Sequence, residues 1–131
     1  MSDAQGAKKL ILVVDDEPDI VAFLTTLLED NGYRTLSARD GQEAWDKAKA
    51  ETPDLVSLDI TMPEKSGVRF YRDFKNDPDL GKIPVIIVTG VSDDFQKFIS
   101  SRKQVPPPDG YISKPIEEKT YLETVSKVIG N

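Results

Sequence analysis

Six residues carry the side chains most able to do chemistry: Asp15, Asp16 and Glu17 near the start, Asp59 in the middle, then Thr89 and Lys114. Each stands just after a short apolar run that reads as a β-strand. Carboxylates crowded into one cleft repel, and their pKa values rise unless a cation intervenes. The chain has no histidine and no cysteine, which removes a histidine base, a Ser-His-Asp triad, thiolate nucleophiles, His- or Cys-ligated zinc and disulfides. Hard oxygen ligands alone favour Mg²⁺ or Mn²⁺ over zinc, and Mg²⁺ prefers one or two carboxylates shared with a phosphate oxygen. In such a cleft one aspartate can act as a nucleophile and form an aspartyl phosphate. A hydroxyl and an ammonium beside it would stabilise charge on the phosphoryl oxygens.

The elements must bring these residues together. Leu10–Val14 is continuously apolar, as a strand buried on both faces should be. Ile20, Phe23, Leu24, Leu27 and Leu28 follow helical spacing, and Asn31-Gly32 closes that helix. A weaker strand over Arg34–Ser37 reads as nearer an edge. Asp40 suits the N-cap of a second helix through Ala48, which ends before Pro53. A third strand, Leu55–Leu58, ends at Asp59, and Met62–Gly67 reads as a loop. Val68, Phe70, Tyr71 and Phe74 mark a third helix that stops near Asn76–Pro78. Val85–Val88 is a β-branched strand running into Thr89-Gly90. Phe95, Phe98 and Ile99 mark a short fourth helix, and Pro106–Pro108 excludes helix there. Tyr111–Ser113 is a fifth strand, and Leu122, Val125, Val128 and Ile129 form the apolar stripe of a last helix from about Glu117. Trp45, Phe70, Tyr71 and Phe74 sit at helical spacings and read as packing.

Five strands alternating with five helices predict an α/β fold with a parallel sheet covered on both faces. In a parallel sheet the strand tips share one carboxyl edge, where open α/β sheets bind ligands. An order 2-1-3-4-5 would set strands 1, 3, 4 and 5 side by side and gather all six residues into one cleft. Taken singly they have plainer readings. The acidic run can be an N-cap with first-turn acids, Asp59 a turn residue, Thr89 a strand end and Lys114 a solvated lysine.

Composition narrows the class. The 131 residues suit one domain: 1–8 read as a disordered tail and 9–131 as the folded unit. With 17 basic against 23 acidic residues the net charge is −6, a poor match to nucleic acid. The longest apolar run falls far short of the ~20 residues of a membrane span, and Met1–Ala7 lacks the apolar core of a secretory signal. A cytoplasmic location is expected, with no direct nucleic-acid or membrane binding.

The motifs Val13-Val14-Asp15-Asp16-Glu17, Leu58-Asp59-Ile60-Thr61-Met62-Pro63 with Gly67, Ile87-Val88-Thr89-Gly90 and Tyr111-Ile112-Ser113-Lys114-Pro115 resemble the receiver domain of two-component response regulators. The resemblance covers roughly Lys9 to Ile129. It implies a flavodoxin-like (βα)5 doubly wound fold, a five-stranded parallel sheet in order 2-1-3-4-5 between two helical layers. It further implies that Asp59 accepts a phosphoryl group from a histidine kinase or a histidine phosphotransfer protein and that the chain is not an enzyme in its own right. Asp15, Asp16, Asp59 and the backbone carbonyl of Thr61 would serve Mg²⁺ (or Mn²⁺), Asp15 mostly through water or as a supporting acid. Thr89 and Lys114 would contact the phosphoryl group, the bond to Pro115 would be a candidate for cis, and Tyr111 would be an aromatic switch. The face of the fourth helix, fifth strand and fifth helix would engage a downstream protein or a second copy. Two departures stand out: Gly90 where the family usually has alanine, and Val105–Gly110 where it usually has a Gly-Ala pair.

Only Gly130 and Asn131 follow the last helix, so the expectation is a receiver without its own output domain, stand-alone or excised. Two rivals use the same residues: a receiver-like interaction module without phosphate, and a Mg²⁺-dependent phosphohydrolase with an aspartate nucleophile.

Overall fold

The structure is a computed structural model that describes residues 8–60, 66–90 and 108–130. The strands are β1 (Leu10–Val14), β2 (Arg34–Ala38), β3 (Leu55–Asp59), β4 (Val85–Thr89) and β5 (Gly110–Ser113). The helices are α1 (Pro18–Asp30), α2 (Gly41–Ala50), α3 (Ser66–Asn76) and α4 (Glu118–Ile129), with a 3-10 turn at Leu80–Lys82. The strands form one parallel sheet in the order β2-β1-β3-β4-β5, as the sequence predicts. The expected fourth helix around Phe95–Ile99, the tail 1–7, Thr61 and Pro106-Pro107 lie outside the described residues.

Local chemistry explains the ends. Asp40 caps α2 by accepting the Glu43 N–H at 2.8 Å, and the Glu43 carboxylate accepts the Arg39 N–H at 2.9 Å. The first bond satisfies an N–H that the first turn leaves open, and the second ties the residue before the cap to that turn. Gly32 follows α1 at φ 91°, a left-handed conformation that costs glycine least. One boundary differs from expectation. Ser66 and Gly67, read as loop, open α3 instead. First-turn N–H groups have no intrahelical acceptor, so a Ser-Gly pair can mark a helix start as well as a loop.

Because side chains alternate across a strand, the apolar strands feed two cores. Leu12, Val14, Val56, Leu58, Val85 and Ile87 face α2 and α3, where Phe70, Tyr71 and Phe74 are buried and Trp45 packs partly buried. Ile11, Val13, Leu55, Ile86, Val88 and Ile112 face α1 and α4, against Leu24, Leu28, Tyr121 and Val125. β2 is at the edge and correspondingly less buried. At the opposite, amino edge, Asp54 and Asp109 accept the first strand N–H groups, from Leu10 at 2.8 Å and Val85 at 2.9 Å.

The approach of α4 to β5 depends on Gly110. A Cβ there would lie 2.9 Å from Thr124 Cγ2 and 3.4 Å from Ile86 Cγ1. The Thr124 hydroxyl donates to the Thr120 carbonyl at 2.9 Å, which fixes the rotamer that aims the methyl at Gly110. Gly110→Ala should therefore destabilise the domain by about 1–3 kcal/mol in urea unfolding. Adding Thr124→Ser, which deletes only that methyl, should recover most of the loss.

Candidate functional site

β1, β3, β4 and β5 end at one edge, and each brings a polar side chain to it. Asp15 follows β1 and its N–H donates to the Ala38 carbonyl at 3.0 Å. Asp59 is the last residue of β3, and Thr89 the last of β4. Lys114 follows β5, its N–H donating to the Thr89 carbonyl at 3.0 Å, and its bond to Pro115 is cis, as the resemblance implies. The register carries the alignment: Asp59 is level with Val88, and Thr89 with Ser113.

Asp15 and Asp59 are each only 2% exposed, an uncommon burial for carboxylates, while Asp16 is exposed. The Lys114 ammonium is the cation among them. Its Nζ lies 3.3 Å from Asp59 Oδ2, 3.9 Å from Asp15 Oδ2 and 3.9 Å from Glu17 Oε1. The Asp59 contact is also a hydrogen bond donated by Lys114. Burial pulls the ammonium down, but the summed charge of Asp59, Asp15 and Glu17 outweighs it and holds the group above the ordinary lysine value. Thr89 is buried beside them. Tyr111 stands on β5 with its ring outward, 36% exposed.

Glu17 is the member whose role the sequence does not disclose. It belongs to the acidic run, and at the N-cap position of α1 the plain helix-start reading fits it. Its side chain makes no capping hydrogen bond; its carboxylate faces Lys114. Its own N–H donates to Asp15 Oδ1 at 2.9 Å. Gly90 stands where the family usually has alanine, and among the described residues no atom other than its chain neighbours lies within 4 Å of a built Cβ.

The fit to a divalent cation rests on the donor set. Asp15, Asp16 and Asp59 each offer one carboxylate oxygen, and these lie within 4.8 Å of one another. All are hard oxygen donors, suited to Mg²⁺ or Mn²⁺. Among the described residues, Lys114 alone faces these acids, which leaves their summed charge negative. Burial pushes the Asp15 carboxyl up to about 6; the Glu17 N–H and Lys114 oppose that rise, and the Asp59 charge adds to it.

A family model for the response regulator receiver domain matches residues 11–126. The chain belongs to that family. It is a receiver domain of two-component signalling, not a conventional enzyme. Protein PilH of Pseudomonas aeruginosa is 36% identical over 119 residues, covering 91% of this chain and 96% of PilH. The signal receiver domain of a signal transduction histidine kinase from Syntrophus aciditrophicus superposes with a TM-score of 0.81 at 34% identity, over 93% of this chain and 90% of that one. The receiver domain of sensor histidine kinase PA1611 from P. aeruginosa shares the fold, with a TM-score of 0.81 at 22% identity over 95% of this chain and all 100% of its own. The structure of that domain has a magnesium ion coordinated in the active site cleft. Among the described residues no helix is long and apolar enough to cross a membrane.

The raised Asp15 carboxyl sets a stability prediction. Unfolded, it titrates at its ordinary 3.8, and folded at about 6, so the folded state holds the proton more tightly. Stability present at low pH is therefore lost as pH rises through that window. Asp15→Asn keeps an oxygen for the Glu17 N–H and removes the charge. Without metal it should be about 1–2 kcal/mol more stable than wild type at pH 7, allowing for solvent screening. The advantage should shrink toward zero below about pH 4. Urea unfolding across pH in the presence of a chelator measures it.

Proposed function

We propose that this domain, residues 9–131, accepts a phosphoryl group on Asp59 from a histidine kinase or a histidine phosphotransfer protein. The donor histidine must come from elsewhere, because these 131 residues contain none. The observation that carries this reading is the contact of Lys114 Nζ with Asp59 Oδ2 at 3.3 Å, inside a cleft where Asp15 and Asp16 also converge. An Asp59 oxygen attacks phosphorus and the P–N bond of the phosphohistidine breaks. The electron pair leaves on the imidazole nitrogen, which takes up a proton.

Asp15, Asp16 and Asp59, with the Thr61 carbonyl outside the described residues, would hold Mg²⁺ (or Mn²⁺). The ion coordinated in the active site cleft of the PA1611 receiver supports that assignment. Bound there, the dication would offset the crowded carboxylates and the charge on the incoming phosphoryl oxygens. Lys114 exchanges part of its contact with Asp59 for a phosphoryl oxygen. The Thr89 hydroxyl donates to another. Each such charge-assisted bond is worth about 1–3 kcal/mol.

A phosphoryl group shifts the domain between two states only by its differential contacts with them. Thr89 and Lys114 supply that difference. As Thr89 moves toward the phosphate, Tyr111 turns inward from its exposed position. The face of β5, α4 and the helix expected around Phe95–Ile99 then presents a changed surface to a downstream protein or to a second copy. The domain acts in the cytoplasm, where kinases hold their phosphoryl supply, and its net charge of −6 disfavours direct nucleic-acid binding. The rival module that takes no phosphate leaves the buried carboxylates and their lysine without a use.

Acetyl phosphate with Mg²⁺ should raise the intact mass of the wild type by one phosphoryl group. Asp59→Asn should show no rise. Equal modification of the Asn variant, or an unmodified wild type, would overturn the assignment.

A further inference from the structure

Tyr121 stands in the first turn of α4, its side chain wholly buried in the core between α1, α4 and the sheet. Its hydroxyl donates to Ser57 Oγ at 2.8 Å. Ser57 is buried too, in the middle of β3, level with Val13 and Ile86 on the flanking strands. The pair thus interrupts an otherwise apolar layer that includes Ile11, Leu24 and Val88. Stability alone gives little reason for it. Replacing both partners of a buried hydrogen bond by apolar groups of similar shape is often neutral or favourable. A hydrogen bond adds direction and a fixed distance, which apolar contact does not.

Both ends of the bond lead to the site. Ser57 is two residues before Asp59 and shares its side of β3, since side chains repeat every second residue. Tyr121 follows Lys114 through only Pro115–Thr120, at the start of the helix that this segment enters. Upstream, Lys114 is held to β4 by its N–H to the Thr89 carbonyl at 3.0 Å. Downstream, the first turn of α4 is pinned to β3 by the Tyr121 hydroxyl. The segment bearing the ammonium is therefore clamped between the strand that carries Thr89 and the strand that carries Asp59.

We infer that Tyr121 and Ser57 are positioning residues, which set the placement of the Lys114 ammonium against Asp59 by tying the start of α4 to the acceptor strand. The inference rests on the proposed roles of Asp59 and Lys114. Small displacements of a positioned group slow a reaction strongly, so loss of the tie should be visible in rate.

The test uses the full chain as wild type, Tyr121→Phe, Ser57→Ala and the double variant. Each is treated with acetyl phosphate and Mg²⁺, and each metal-free form is examined by NMR at the Lys114 ¹⁵Nζ. Each single variant should phosphorylate about three- to tenfold more slowly than wild type while remaining folded. The double variant should be no slower than the slower single, and the half-saturating Mg²⁺ concentration should not move. The Lys114 ¹⁵Nζ signal should shift in both singles. Wild-type rates in both folded singles, with an unmoved Lys114 signal, would refute the positioning role and leave Asp59 as acceptor intact. A wild type that takes no phosphate would refute the acceptor reading instead, and the Lys114 signal would still decide whether Tyr121 and Ser57 place the ammonium.

Discussion

The arrangement depends on one electrostatic constraint: two buried carboxylates, Asp15 and Asp59, share one ammonium, Lys114, among the described residues. Burial disfavours charge, and each carboxylate disfavours the other. Lys114 relieves part of this from one side, and its contacts reach 3.3 and 3.9 Å. The exposed Asp16 adds a further acid on the open side. Among the described residues a cleft so built is short of positive charge, and a bound dication would reduce that deficit. The chemistry of the family is thus written into the charge arrangement of the resting domain.

The fold exists, in this sense, to hold like charges together. Parallel strands send the ends of β1, β3, β4 and β5 to one edge, and their largely apolar interiors provide the burial that offsets the repulsion. The backbone closes the cleft further, through Asp15 to Ala38 and Lys114 to Thr89. At the opposite edge Asp54 and Asp109 each accept a strand N–H, so carboxylates serve structure at that end of the sheet and gather in the cleft at the other. Lys75 lies at that structural end, partly buried as a residue with its side chain 7% exposed. It donates to the Ile83 carbonyl at 2.8 Å and lies 3.8 Å from Asp109. Burial lowers its pKa and Asp109 partly restores it.

What could be read from the sequence was local or periodic. Leu10–Val14 and Val85–Val88 are apolar throughout because both sheet faces are covered, and their strand character follows. Asp40 as a cap and Gly32 as a terminator are decided within a few residues, and both hold in the structure. The Ser66-Gly67 start of α3 was ambiguous because serine and glycine serve loops and helix starts alike. The 3-10 turn at Leu80–Lys82 is too short to show a period. The contacts that finish the site could not be read, because they join residues distant in sequence. Lys114 meets Asp59 across 55 residues, and Tyr121 meets Ser57 across 64. Motif resemblance supplies the first of these; Tyr121 and Ser57 belong to no motif and emerge only when α4 is laid on β3. Glu17 stands in the acidic run that the sequence singles out, but its contact with Lys114 is not legible there, since an acid at a helix start already has a sufficient local explanation.

The central claim, that the cleft is short of positive charge and shaped for a hard dication, is tested most directly by equilibrium unfolding at pH 7 against Mg²⁺ at constant ionic strength. Preferential binding to the folded state predicts stability that climbs with log Mg²⁺ once the dissociation constant is passed, at about 1.4 kcal/mol per decade. The climb should be abolished in the Asp16→Ala, Asp59→Asn double variant. A wild-type stability that stays flat through millimolar Mg²⁺, or one that rises equally in the double variant, would contradict it.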